Sequence, residues 1–193
     1  MSRTVFGLVV GMALHAAAGA ASWIESAQGD LSNNRLAPSQ LTLTEGANTI
    51  QGSFGVPDVD YLSVVVPQGL LLSAVRDGAD MVLGVRSFIA VQAGSQMTVP
   101  ADTQSPAGLL GWAHFQQALP GTNLLPAIGS GFGATGFSGP LPAGIYTFWV
   151  QDNSEVDLAF DFNFEVSVVP EPAPAVLLAA GAAALGLRRW RAR

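Results

Sequence analysis

The chain has 193 residues, a net charge of −6, 49% hydrophobic residues and only 11% charged ones, with neither cysteine nor lysine. That excludes a disulfide framework, a thiolate metal centre and a cysteine nucleophile, and so apolar a composition excludes a disordered chain. Between Ala21 and Val169 the only cations are Arg35, Arg76 and Arg86, so a nucleic-acid partner, which needs clustered positive charge, is excluded as well.

The N-terminus reads as a secretion signal spanning residues 1–21. Arg3 precedes an apolar run from Val5 to Leu14, and small residues follow from Ala16 to Ala21. This three-part order fits a signal helix removed by signal peptidase after Ala20 or Ala21. The apolar run is short of the roughly 20 residues that span a bilayer. A lone arginine provides no twin-arginine motif, which favours export in the unfolded state.

Residues 22–168 form the expected single domain. Ser22 to Pro38 is polar and reads as an irregular lead-in. Leu41 and Leu43 alternate with Thr42 and Thr44, and the turn Glu45–Asn48 leads into Thr49 to Phe54, predicting a hairpin. After the loop Gly55–Asp60, strands are predicted at Tyr61 to Val66 and Leu70 to Val75, joined by Pro67-Gln68-Gly69, with a further strand or pair in Met81 to Val91. From Pro100 to Gly144 glycine and proline dominate, and the segment is expected to pack over the sheets through aromatic islands and Leu124-Leu125. Tyr146, Phe148 and Val150 share one strand face. In the last strand Val156, Leu158, Phe160, Phe162, Phe164, Val166 and Val168 lie opposite Asp157, Asp161, Asn163, Glu165 and Ser167. The fold class is therefore all-β, an antiparallel β-sandwich or jelly-roll-like domain.

Catalytic signals are weak. His114 sits in the aromatic string Trp112-Ala113-His114-Phe115, and no Gly-x-Ser-x-Gly elbow accompanies it. Gly131-Phe132-Gly133-Ala134-Thr135-Gly136 matches a dinucleotide string, but Pro140 and Pro142 follow where a helix is required, so it reads as a glycine loop. Asp157 and Asp161 resemble a glycosidase pair only in type, and the polar face of a strand accounts for them. No cofactor is required. Calcium is the one metal considered, with Asp58 and Asp60 in one loop and Asp152, Asn153, Glu155 and Asp157 in another turn, both of which also suit plain turn chemistry.

Residues 169–193 read as a sorting tail. Val169-Pro170-Glu171-Pro172 precedes an apolar stretch from Ala173 to Leu187, and Arg188, Arg189, Arg191 and Arg193 close the chain around Trp190. The basic cluster places the C-terminus on the cytoplasmic side and the folded domain outside. In this order the three features resemble the PEP-CTERM sorting signal: a Pro-Glu-Pro motif, a transmembrane helix and a basic end, read by an exosortase-type enzyme. The resemblance implies transient membrane anchoring, delivery to the cell surface or extracellular space, and association with exopolysaccharide or biofilm.

A second resemblance covers both flanks of the domain. Asn48 to Phe54, Asp58 to Gly69 and Leu141 to Tyr146 are similar to bacterial pre-peptidase C-terminal domains, small β-sandwiches appended to secreted enzymes. Together these readings favour a noncatalytic exported matrix protein. A carbohydrate-binding module using exposed Trp112, Trp149 or Phe137, and a secreted hydrolase with an acidic pair, are the alternatives.

Overall fold

The computed structural model describes residues 19–78, 87–103, 105–115 and 120–170. The body of the expected signal helix, the first part of the Met81–Val91 strand and the tail from Glu171 onward lie outside the described residues. Among the described residues no helix is long and apolar enough to cross a membrane.

The chain runs β1 (Ser22–Ile24), α1 (Glu25–Gln28), β2 (Ser39–Thr42), β3 (Gly46–Phe54), β4 (Val59–Val66), β5 (Leu70–Asp77), β6 (Ser87–Ala93), β7 (Gly111–Phe115), α2 (Leu125–Gly129), β8 (Gly144–Gln151) and β9 (Leu158–Val168). Two mixed sheets form, ordered β1-β3-β9-β5 and β2-β4-β8-β6-β7. Alternation dictates how they meet. Phe160, Phe162, Phe164 and Val166 of β9 face Leu62, Val64 and Val66 of β4 and Phe148 and Val150 of β8 across one buried cluster. Phe148 and Phe164 meet edge to face across it, with ring centroids 4.9 Å apart. At about 25 cal/mol per Å² this apolar burial is the main stabilising contribution.

The expected sandwich is therefore present, with corrections. It is not wholly antiparallel, because β1 pairs in parallel with β3 and β2 in parallel with β4. The predicted hairpin across Glu45–Asn48 does not form: β2 and β3 belong to different sheets, and the buried Asn48 amide ties the corner by donating to the Phe164 carbonyl at 3.0 Å. Likewise Pro67-Gln68-Gly69 turns the chain but carries it from one sheet to the other. The lead-in Ser22–Pro38 is not irregular throughout, since it supplies β1 and α1. The Pro100–Gly144 segment contains β7 and α2, and Leu124 and Leu125 enter the main core rather than covering a sheet from outside.

One irregularity corrects the phase of β5. The register against β9 slips between Leu72 and Ala74, so Leu72 and Val75, three residues apart, both reach the core.

Candidate functional site

Two places on the sandwich gather chemistry-bearing side chains. The first lies on the outer face of the five-stranded sheet. In β7, Ala113 and Phe115 turn inward, which leaves Trp112 and His114 outward. The register then sets Phe88 of β6 between His114 and Gln151, and Ala90 between Trp112 and Trp149. Ala90 contributes almost no bulk, so the rings close over it. Phe88 lies 4.7 Å from Trp149, 5.5 Å from His114 and 6.1 Å from Trp112, centroid to centroid.

Half of this outer face is sealed. Met97, Val99 and Leu109 cover Tyr61, Ala90 and Trp149 in a second small core. The other half stays open as a cleft of 470 Å³, whose lining includes Phe88, Trp112, His114, Phe132, Thr103 and Gln151, within the size range of small-molecule sites. Phe132 stands over it with 89% of its surface exposed. Its position is fixed from below, because the Trp112 Nε1 donates to the Phe132 carbonyl at 3.0 Å. Gly131 makes the close approach possible: a Cβ there would overlap the Trp112 backbone and ring. The glycine string is thus tied to the sheet edge, with Thr135 and Gly136 donating to the carbonyls of Leu109 and Leu110.

Two of the three expected binding aromatics are corrected by this geometry. Trp149 contributes to the cleft's lining but is only 4% exposed, and Phe137 packs against the main core. Trp112 is half-buried and lines the open cleft with Phe88 and Phe132. The sequence carried the signal for β7 in the strict small-large alternation Gly111-Trp112-Ala113-His114-Phe115, masked by the glycine and proline around it.

The second place is a carboxylate cluster at the seam between the sheets. Asp60 was expected in a loop but is the second residue of β4, on the inward face shared with Leu62, Val64 and Val66. It has no solvent exposure, and neither of its carboxylate oxygens has a hydrogen-bond partner. Glu25 reaches the same point from α1, its oxygens accepting from the backbone N–H of Leu31 at 3.2 Å and of Ser53 at 2.8 Å. Asp30 approaches from the loop after α1, and ligand oxygens of Glu25, Asp30 and Asp60 lie within 4.8 Å of one another. Burial, then the charges of Asp58, Glu25 and Asp30, push the Asp60 carboxyl up to about 9. Burial also raises Glu25 and Asp58, against the opposing backbone hydrogen bonds to Glu25 and the Asn33 bond to Asp58. With its amide oriented to suit its neighbours, Asn33 donates to Asp58 Oδ1 at 2.7 Å and to the Val59 carbonyl at 2.9 Å.

The remaining candidates separate. Asp152 is buried, but its Oδ2 accepts from the Ser87 hydroxyl at 2.7 Å and its Oδ1 from the Ser154 N–H at 2.8 Å, so it closes a turn. Asp157 is exposed and precedes β9. Asp161, expected to be solvated, is 8% exposed, and a Cβ on Gly78 would overlap its carboxyl. Glu25 and Asp30 were missed because nothing local to them distinguishes two acids in a polar lead-in.

At the two ends, Thr49 donates to the Ala21 carbonyl at 3.1 Å, and Val169 donates to the Gly69 carbonyl at 2.9 Å. Pro170 is the last described residue; the remaining sorting residues Glu171, Pro172, Arg188, Arg189, Arg191 and Arg193 lie outside the described set. A scan of protein-family models finds no match to this chain, and searches of curated proteins and of solved structures likewise return none.

Proposed function

We propose that this protein is an exported, noncatalytic surface protein whose aromatic cleft binds neutral polysaccharide. The observation that carries the reading is the open half of the five-stranded sheet, where Phe88, Trp112 and Phe132 line the cleft together with Thr103, His114 and Gln151. A pyranose has the matching duality. Its C–H faces stack on aromatic rings, and its hydroxyls need donors and acceptors at the rim. The net charge of −6 favours an uncharged polymer over an acidic one, by like-charge repulsion.

Delivery is the second half of the proposal. A cleaved signal helix at residues 1–21 and a C-terminal transmembrane helix with the Pro170-Glu171-Pro172 motif flank the domain; signal peptidase and an exosortase-type enzyme act on them. The protein is anchored transiently with its C-terminus in the cytoplasm and then released to the surface or matrix. The order of an apolar run behind Arg3, a folded domain, Pro-Glu-Pro, an apolar stretch and four closing arginines supports this reading. An exopolysaccharide matrix is the setting in which the cleft has a ligand.

The test is retention of the full chain on immobilised neutral β-glucan, compared with Trp112→Ala and Phe132→Ala. Retention that Trp112→Ala abolishes and Phe132→Ala weakens, without release of reducing sugar, is the expected result. Retention unaffected by either would remove the cleft from the account, and release of reducing sugar would make the protein an enzyme.

A further inference from the structure

We propose that Glu25, Asp30 and Asp60 hold a calcium ion that fastens the N-terminal segment to the seam of the sandwich. A carboxylate with no exposure and no hydrogen bond to either oxygen is a costly group to bury, and a native fold keeps such a group only where something else satisfies it. The charges that act on Asp60, from Asp58, Glu25 and Asp30, are all negative, and neither of its oxygens is hydrogen-bonded. A cation satisfies Asp60 together with Glu25 and Asp30.

The geometry fits the ion. Ligand oxygens of the three side chains lie within 4.8 Å of one another, inside the roughly 4.6–5.2 Å that separates opposite ligands around calcium at its usual bond lengths. Three carboxylates form a hard, all-oxygen donor set, which suits calcium; magnesium keeps most of its water and takes one or two carboxylates. Zinc and copper prefer nitrogen and sulfur, and the only histidine among the described residues, His114, stands outward on β7 in the aromatic cleft.

The first ligand is already positioned. Each Glu25 oxygen accepts one backbone N–H, which fixes the carboxyl while leaving a lone pair for a metal. Gly52 provides the space, since a Cβ there would overlap the Glu25 carboxyl. The three ligands come from separate parts of the fold. Glu25 hangs on β3 of one sheet through Ser53, Asp60 belongs to β4 of the other, and Asp30 lies in the loop between β1 and β2. An ion here therefore joins both sheets to the segment that begins at Ser22.

The experiment is calcium titration of the chelator-treated full chain, with bound ion measured by equilibrium dialysis and melting followed in parallel, and with magnesium as the control ion. One calcium bound per chain, with a rise in melting temperature that magnesium does not reproduce, is expected. Asp30→Asn alters an exposed side chain and leaves the buried core untouched, so it keeps the fold and weakens calcium binding by about tenfold, as affinity follows ligand charge. Asp60→Asn abolishes the response. Failure of the wild-type chain to bind at millimolar calcium overturns the proposal, and so does an Asp30→Asn chain that binds as tightly as wild type. Neither result bears on the aromatic cleft.

Discussion

Gly52 lies directly beneath the carboxyl group of Glu25, so closely that a Cβ at position 52 would occupy the same space. Alanine in a strand interior ordinarily gains about 0.5–1 kcal/mol over glycine. Here the sign should reverse. Gly52→Ala displaces the carboxyl that accepts from Leu31 and Ser53, leaving two backbone donors less well satisfied, at a cost of about 1–2 kcal/mol. Denaturant unfolding of the variant should therefore show a loss, together with weaker calcium binding. A gain in stability would mean that Glu25 does not sit where described.

The metal-free protein should lose stability as pH rises. Asp60 stands at about 9 in the fold against an ordinary value of 3.8, so between those limits the folded chain holds a proton that the unfolded chain has released. Stability from this group is fully present below pH 3.8 and declines by at most about 1.4 kcal/mol per unit up to 9. The shifts of Glu25 and Asp58 have the same sign. Thermal melts in chelator should thus be higher at pH 5 than at pH 8, and Asp60→Asn should flatten the difference. Equal melts for the wild-type chain at both values would show that Asp60 is not buried as a lone carboxyl.

Asp152 tests the separation between metal ligand and turn residue. Asp152→Ala removes the acceptor for the buried Ser87 hydroxyl and for the Ser154 N–H, and should cost about 1–3 kcal/mol. The calcium-induced rise in melting temperature should survive in full. A variant that loses the calcium response would return this turn to the list of ligands.

The strands at Tyr146–Val150 and Leu158–Val168 were legible from alternation, and those at Tyr61–Val66 and Leu70–Val75 from a β-branched run and the Pro67-Gln68-Gly69 turn, all of which are local signals. Which strands pair was not legible. Alternation gives the inward face but not the sheet, and the steps from β2 to β3 and from β4 to β5 each change sheet where a local reading expects neighbours to pair. The same limit hid the carboxylate cluster. Asp60 was visible as one acid near another, whereas its partners Glu25 and Asp30 are brought to it by β1 lying alongside β3. Trp149 was misjudged because aromatic alternation in β8 cannot reveal that Met97, Val99 and Leu109 fold back over its outer face.

The ends of the mature chain follow from the delivery reading. Peptide mass spectrometry of protein recovered from a host that supplies an exosortase should find an N-terminus at Ala21 or Ser22 and a C-terminus near Val169. In a host lacking the enzyme the fragment Arg188–Arg193 should remain. Its persistence in both hosts would make the tail a permanent anchor.

The most direct measurement is a tryptophan fluorescence titration of the full chain with a soluble neutral β-glucan oligosaccharide. Trp112 lines the open cleft and lies beside Phe88 and His114, so a stacked sugar ring alters its surroundings at once. A saturable change in emission is expected for the wild-type chain and none for Trp112→Ala, which removes the stacking ring, while Phe132→Ala weakens binding without changing the fold. A flat titration of the wild-type chain across neutral glucans, mannans and galactans would contradict the proposed binding.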